Sequence, residues 1–291
     1  MVSSGAVAIV PEVPEWRALS LTPRLAVPTV RASIAGLRAN GWALDARVGV
    51  IAFSFGAPHA VAATAHPDLR GDLAGAVSFG GYCDLARTVR FLMTGVHEWQ
   101  GREYRLTPDP YGRWIVGANY LTSIAEHREA GDVAHALGEL AAHAGDTGIP
   151  SLDPRLDPRK VQLRASLGED HKPLFDLFAP GSAIPPDTRR GTEIAEALAE
   201  AALRVDPDME PRSALATVGH PVHLLHGRGD HLIPFSESLR LRGALPRDTP
   251  ADTTITRLFG HSAQDSFPSM LRAVREVPAF FAALRRVLRL V

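Results

Sequence analysis

Apolar residues along this chain collect in short runs almost free of charge, separated by stretches with helical spacing. Residues 6–10 (AVAIV) form such a run, closed by Pro11, and predict a buried strand. From Pro28 to Asn40, Val30, Ile34 and Leu37 recur at helical spacing, and Gly41 stands where a helix-ending glycine belongs. Residues 48–53 (VGVIAF) are continuously apolar and predict a strand buried on both faces, as central parallel strands are. Gly56-Ala57-Pro58 and then His59 to Ala63 predict the start of a helix, and residues 73–79 (LAGAVSF) a further strand stopped by Gly80-Gly81. Strands that alternate with helices imply a parallel sheet with right-handed crossovers.

Beyond Asp84 the pattern changes. Down to Gly219 no run reads as a buried strand; helices are predicted instead over Leu85–Thr94, Ile124–His143 and Thr192–Val205, with proline-rich connectors between. Alternation resumes with a strand at residues 221–225 (PVHLL), a helix near Ser236–Gly243 and a strand at Thr253–Phe259. A last amphipathic segment carries Leu271, Val274, Val277, Phe281, Leu284 and Leu288 and is interrupted by Pro278. The expected organisation is an α/β sheet core formed by residues 1–83 and 220–291. A mainly helical insertion, residues 84–219, has the size of a lid or cap.

Composition narrows the function classes. With 291 residues, 45% of them hydrophobic, the chain can bury a large core. A net charge of −1 without any Lys/Arg block gives no reason to expect a nucleic-acid or membrane partner. A single cysteine, Cys83, rules out an internal disulfide framework and suits a reducing compartment. The N-terminus lacks a basic leader region and reaches Pro11 and Glu12 too early for a signal peptide. The longest uncharged stretch, Val48 to Ala65, holds Pro58 and His59 and reads as strand plus helix, not as a membrane span. A soluble, cytoplasmic protein is expected.

Ser54 stands at the abrupt change from strand to helix, with small residues two positions before it (Ala52) and two after (Gly56). A serine there projects its hydroxyl from the end of a sheet and over the positive end of a helix dipole, and so tight a turn is expected to need both neighbours small. A serine alcohol is a weak nucleophile until a base takes its proton and an acid orients that base. Two later strand ends offer these groups: Asp230 in the glycine-containing loop after PVHLL, and His261 in Gly260-His261-Ser262. Asp84, after the strand that ends at Phe79, is the rival acid. Phe53, Gly80 and Tyr82 border these strand ends and are expected to line a substrate site. All four tyrosines and Trp99 and Trp114 fall between residues 82 and 120, where they either wall an apolar acyl pocket or fill the core of the insertion. His223, His226 and His231 surround Asp230 but flank a strand end and a glycine turn without converging, so neither a metal nor another cofactor is expected.

Together these segments resemble the α/β-hydrolase superfamily, whose triad follows the order nucleophile, acid, histidine, as Ser54, Asp230 and His261 do here. PVHLLHGRGDHLIPFSES looks like that family's acid loop, Gly260-His261 like its histidine loop, and the insertion lies where the family carries its lid. The resemblance implies an α/β-hydrolase fold and a serine hydrolase that cleaves a small-molecule ester, thioester or related acyl bond. It also implies that the Phe55 N–H forms half of an oxyanion hole.

The family places a second N–H donor on a loop after an earlier strand, and only one strand is predicted before Ser54. The expectation is that Met1 lies within a longer natural reading frame; otherwise a sheet edge is exposed near residues 6–10. Two other readings stay open: a pseudoenzyme of this fold, and a peptidase or acyltransferase on the same triad. Substrate identity and oligomeric state are not legible.

Overall fold

Continuous apolar strands need neighbours on both sides and helices on both faces, and the computed structural model shows how far each strand obtains them. It describes residues 7–42, 46–258, 260 and 274–290. A single helical turn α1 (Pro14–Arg17) and helix α2 (Ala26–Ala39) precede β1 (Val48–Phe53), α3 (Gly56–Ala63) and β2 (Leu73–Phe79). Next come α4 (Leu85–Thr94), a hairpin of β3 (Val96–Trp99) and β4 (Arg102–Arg105), and α5 (Pro110–Tyr120), α6 (Gly131–Thr147), α7 (Asp157–Ala165) and α8 (Lys172–Phe178). The chain continues through α9 (Thr188–Val205) and the short α10 (Arg212–Leu215) to β5 (Val222–Gly227), α11 (Ser236–Ala244), β6 (Ala251–Thr256) and α12 (Val277–Val287).

The main sheet has the order β1-β2-β5-β6, and every pair in it is parallel. Side chains alternate between two apolar layers, as the pleat requires. Val77, Phe79 and Leu225 pack with Ala283 and Val287 of α12 on one face. Ala76, Val222 and Leu224 pack with Val61 of α3, Leu215 of α10 and Leu241 of α11 on the other. This is a parallel α/β sheet flanked by helices. No described helix is long and apolar enough to cross a membrane.

Two expectations about the sheet need correction. Residues 7–10 form no strand; they are irregular and exposed, and Ala6 lies outside the described residues. Pro11 ends the run, and the following chain is drawn to the helical layer. There Asn119 of α5 accepts the Leu21 N–H (3.1 Å) and donates to the Leu19 carbonyl (3.0 Å). β1, expected to be buried on both faces, stands instead at the end of the strand order and is half-exposed, with Phe53 59% exposed. Apolarity shows that a strand tolerates burial; it does not count the strand's neighbours.

Helix α2 ends as expected. Gly41 has φ +75° and donates to the Arg38 carbonyl at 2.9 Å, and Trp42 donates to the Leu37 carbonyl at 2.9 Å, a Schellman closure that needs a residue without Cβ. The segment between β2 and β5 packs around Trp114, Leu137, Leu140, Phe175, Phe178 and Leu198, in a cluster that also takes in Tyr82, Ile233 and Phe55 at the sheet's edge. It also holds the β3–β4 hairpin, whose Gln100-Gly101 turn has positive φ at both residues and whose strands are mostly exposed. Pro278 lies in the first turn of α12, where a missing N–H costs nothing, so it starts that helix and does not interrupt it.

Candidate active site

Parallel strands in register end along one edge of the sheet. Phe53 pairs with Phe79, Phe79 with Leu225, and Gly227 with Thr256. Ser54, Gly80, the Asp230 loop and the chain beyond Thr256 therefore all leave from the same edge. β1 and β5 are two strands apart, about 10 Å at the usual spacing.

Only Ser54 and Phe55 connect β1 to α3, and Ser54 has φ +55°. A residue with a Cβ is strained in that region by about 1–2 kcal/mol, and such strain collects at functional turns. The turn is fixed by the Ser54 N–H donating to the Phe79 carbonyl (2.7 Å) and the Ala57 N–H to the Ser54 carbonyl (3.0 Å). Gly56 is less demanded than expected: a Cβ there would meet nothing within 4 Å among the described residues. Phe55 N-caps α3, so its N–H stands among the backbone donors that a helix start leaves unpaired.

Behind the elbow runs the loop after β2. Gly80 has φ +62° and donates to the Leu225 carbonyl at 2.9 Å. Gly81 is wedged so that a Cβ there would lie 2.6 Å from Ser78 Oγ and 3.0 Å from Ala57 Cβ on the elbow helix. Tyr82 is buried; its ring stacks on Phe55 with centroids 5.7 Å apart, and its hydroxyl donates to the Met209 carbonyl at 2.6 Å. The same hydroxyl accepts from His59 Nε2 at 3.0 Å. Burial pushes His59 down to about 3, so the ring is neutral at physiological pH. Phe53, the third residue expected to line a substrate site, stacks on Phe79 at 4.8 Å. Burial pushes the Cys83 thiol up to about 12, which leaves it protonated.

Asp230 is 1% exposed in the turn after β5. Its Oδ1 accepts the N–H groups of Leu232 (2.8 Å) and Ile233 (2.9 Å), and Oδ2 lies 3.2 Å from His226 Nε2. His226, itself fully buried, donates from Nε2 to the Ile233 carbonyl at 2.9 Å, and its Nδ1 meets Ser238 Oγ at 2.6 Å. Two backbone N–H donors on one oxygen hold the carboxylate in one orientation. His261 lies outside the described residues.

Asp84 has a different setting. Its carboxylate accepts the Arg87 N–H at 3.0 Å, capping α4, and pairs with Arg87 (3.4 Å) and Arg212 (3.5 Å). Two residues, Glu237 and His231, carry the architecture in ways the sequence did not show. Glu237 of α11, 1% exposed, accepts the N–H groups of Cys83 (3.0 Å) and Asp84 (2.8 Å) and pairs with Arg240 at 3.2 Å; burial pushes its carboxyl up. His231 donates from Nδ1 to the Thr107 carbonyl (2.7 Å) and accepts the Asp109 N–H on its own carbonyl (2.7 Å), so the insertion is latched onto the Asp230 loop. Neither role has a local signal, since Cys83 and Asp84 lie over a hundred residues from Glu237, and Thr107 as far from His231. Among the described residues, no group of three or more His, Cys, Asp or Glu side chains is placed to hold a metal ion.

No family model matches the chain, and no curated protein is similar to it in sequence. Among solved structures it is similar to BpoC from Mycobacterium tuberculosis H37Rv, which is named a non-heme bromoperoxidase. That pair has 17% identity over 91% of this chain and 75% of the other, with a TM-score of 0.40. An alpha/beta fold family hydrolase from Bacillus anthracis str. Sterne has 13% identity over 88% and 73%, with a TM-score of 0.38. MGS-M2, an alpha/beta hydrolase enzyme from a Medee basin deep-sea metagenome library, has 15% identity over 87% and 70%, with a TM-score of 0.36. The chain is a parallel α/β protein, with a sheet of four strands among the described residues and helices on both faces, and it is similar to proteins named α/β hydrolases.

Proposed function

We propose that this chain is a serine hydrolase of α/β-hydrolase type that cleaves a carboxylic ester, thioester or related acyl bond of a small molecule. The observation that carries the proposal is Ser54 at φ +55° in a two-residue link between a parallel strand and a helix. Ser54 Oγ attacks the acyl carbon while His261 takes its proton, and Asp230 orients the imidazole and stabilises its cation. The Phe55 N–H faces the oxygen that becomes negative. His261 then returns the proton to the departing alcohol or thiol, and water attacks the acyl-Ser54 ester by the same route in reverse. Asp230 suits the acid's role better than Asp84, whose carboxylate is engaged in capping α4 and pairing with two arginines. Residues 1–83 and 220–291 would be the hydrolase core and 84–219 its lid, with Phe53, Gly80 and Tyr82 at the rim of the acyl site.

One observation favours a second reading. Among the described residues no strand precedes β1, so the loop that would give a second oxyanion donor has no counterpart there. One missing donor costs about 10²–10³ in turnover, enough to make the chain a weak hydrolase or a binding module of the same fold. Turnover of p-nitrophenyl esters of increasing acyl length, by wild type and by Ser54→Ala, separates the two. Hydrolysis lost in Ser54→Ala supports the enzyme; equal background rates in both folded proteins support the binding module.

A further inference from the structure

We infer that Glu237 is a positioning residue for the Ser54–Phe55 elbow, acting from the far side of the site; this rests on the serine-hydrolase reading. Glu237 lies in the first turn of α11, just beyond the Asp230 loop, and its carboxylate is buried. Burying a carboxylate is costly unless donors surround it. Here two N–H groups, those of Cys83 and Asp84, donate to one oxygen, and Arg240 pairs with the other at 3.2 Å. Helix capping does not account for the arrangement, because α4 already has its cap in the Asp84 side chain. Glu237 instead anchors the irregular loop from Gly80 to Asp84, which has no ladder of its own between β2 and α4.

That loop is what backs the elbow. Gly81 abuts Ala57 and Pro58 of α3, the Tyr82 ring lies on Phe55, and the Tyr82 hydroxyl holds His59. A shift of the loop therefore moves Phe55, and with it the N–H that receives the oxyanion. The helix carrying Glu237 also follows directly on the acid loop, so one carboxylate sets the distance between the nucleophile's support and the acid's.

The test is the rate at which a fluorophosphonate labels Ser54, resolved into probe affinity and inactivation rate constant, with amide hydrogen exchange at Cys83 and Asp84. Glu237→Leu should lower the inactivation rate constant by about tenfold to a hundredfold at nearly unchanged probe affinity, as expected when a reacting group is misplaced by about an ångström. It should also speed exchange at both amides. Glu237→Gln keeps an accepting oxygen and should stay within about threefold of wild type, because only the charge-assisted share of the bonds is lost. If Glu237→Leu does not fold, Glu237→Asp, one methylene too short, should show the same drop. Labelling of a folded Leu or Asp variant at the wild-type rate overturns the inference alone, as does a Gln variant as impaired as Leu. Wild type that is not labelled at Ser54 brings down the hydrolase reading and this inference with it.

Discussion

Replacing Ser54 by glycine separates the strain of the elbow from its chemistry. Ser54 has φ +55°, where a side chain with a Cβ costs about 1–2 kcal/mol relative to the right-handed region. Glycine removes that cost but loses about 0.5–1 kcal/mol more backbone entropy on folding. The half-buried hydroxyl contributes little packing, so Ser54→Gly should be about 0.5–1 kcal/mol more stable than Ser54→Ala, which keeps the strain. For a chain of this size that is an increase of about 1–3 °C in melting temperature. Both variants remove the nucleophile, so the stability difference is free of any effect of turnover. Urea or thermal unfolding of the two variants side by side gives the answer. An alanine variant as stable as the glycine variant would show that the turn is not strained, and the main support for a nucleophile at this position would be gone.

Exchanging the two candidate acids gives opposite patterns. Asp230→Asn should slow labelling of Ser54 by about 10³–10⁴-fold with little effect on folding, the loss seen when a triad acid is neutralised. Asp84→Asn should label within a few-fold of wild type and keep the helix cap, since Asn caps as well as Asp, but lose the ion pairs with Arg87 and Arg212, about 0.5–1 kcal/mol read from the unfolding midpoint; the reverse pattern would move the acid to Asp84. Acid sensitivity should come partly from His59. The folded ring is pushed down to about 3 while the unfolded ring protonates near 6.5, so stability is intact above about pH 6.5 and falls as pH drops toward 3, by about 1.4 kcal/mol per unit. His59→Gln, which can still donate to the Tyr82 hydroxyl, should close its stability gap to wild type between pH 7 and pH 4; parallel curves would show that His59 is not buried neutral.

What the sequence makes legible is local. Leu73–Phe79 and Leu85–Thr94 form with the bounds their apolar runs and glycine stops predict, and the Gly41 closure follows from residue type alone. The chemistry at strand ends is legible for the same reason: once strands are parallel, Ser54 and Asp230 must leave from one edge. What escapes is long-range. Nothing in VGVIAF tells that β1 has a neighbour on one side only among the described residues, and nothing in AVAIV tells that the following chain is taken up by Asn119. The β3–β4 hairpin has strands of four residues, and His97 and Tyr104 carry its packed side, so apolar patterning passes over it. Glu237 is invisible because its partners, Cys83 and Asp84, reach it only after folding. The histidine proposed as base, His261, lies outside the described residues.

The central claim is that Ser54 is a live nucleophile. Intact-mass measurement after fluorophosphonate treatment, followed by peptide mapping, addresses it directly. One adduct per chain is expected, on the peptide that contains Ser54, absent in Ser54→Ala and strongly slowed in His261→Ala. A folded wild-type protein that takes no adduct, or an adduct that persists in Ser54→Ala, would contradict it.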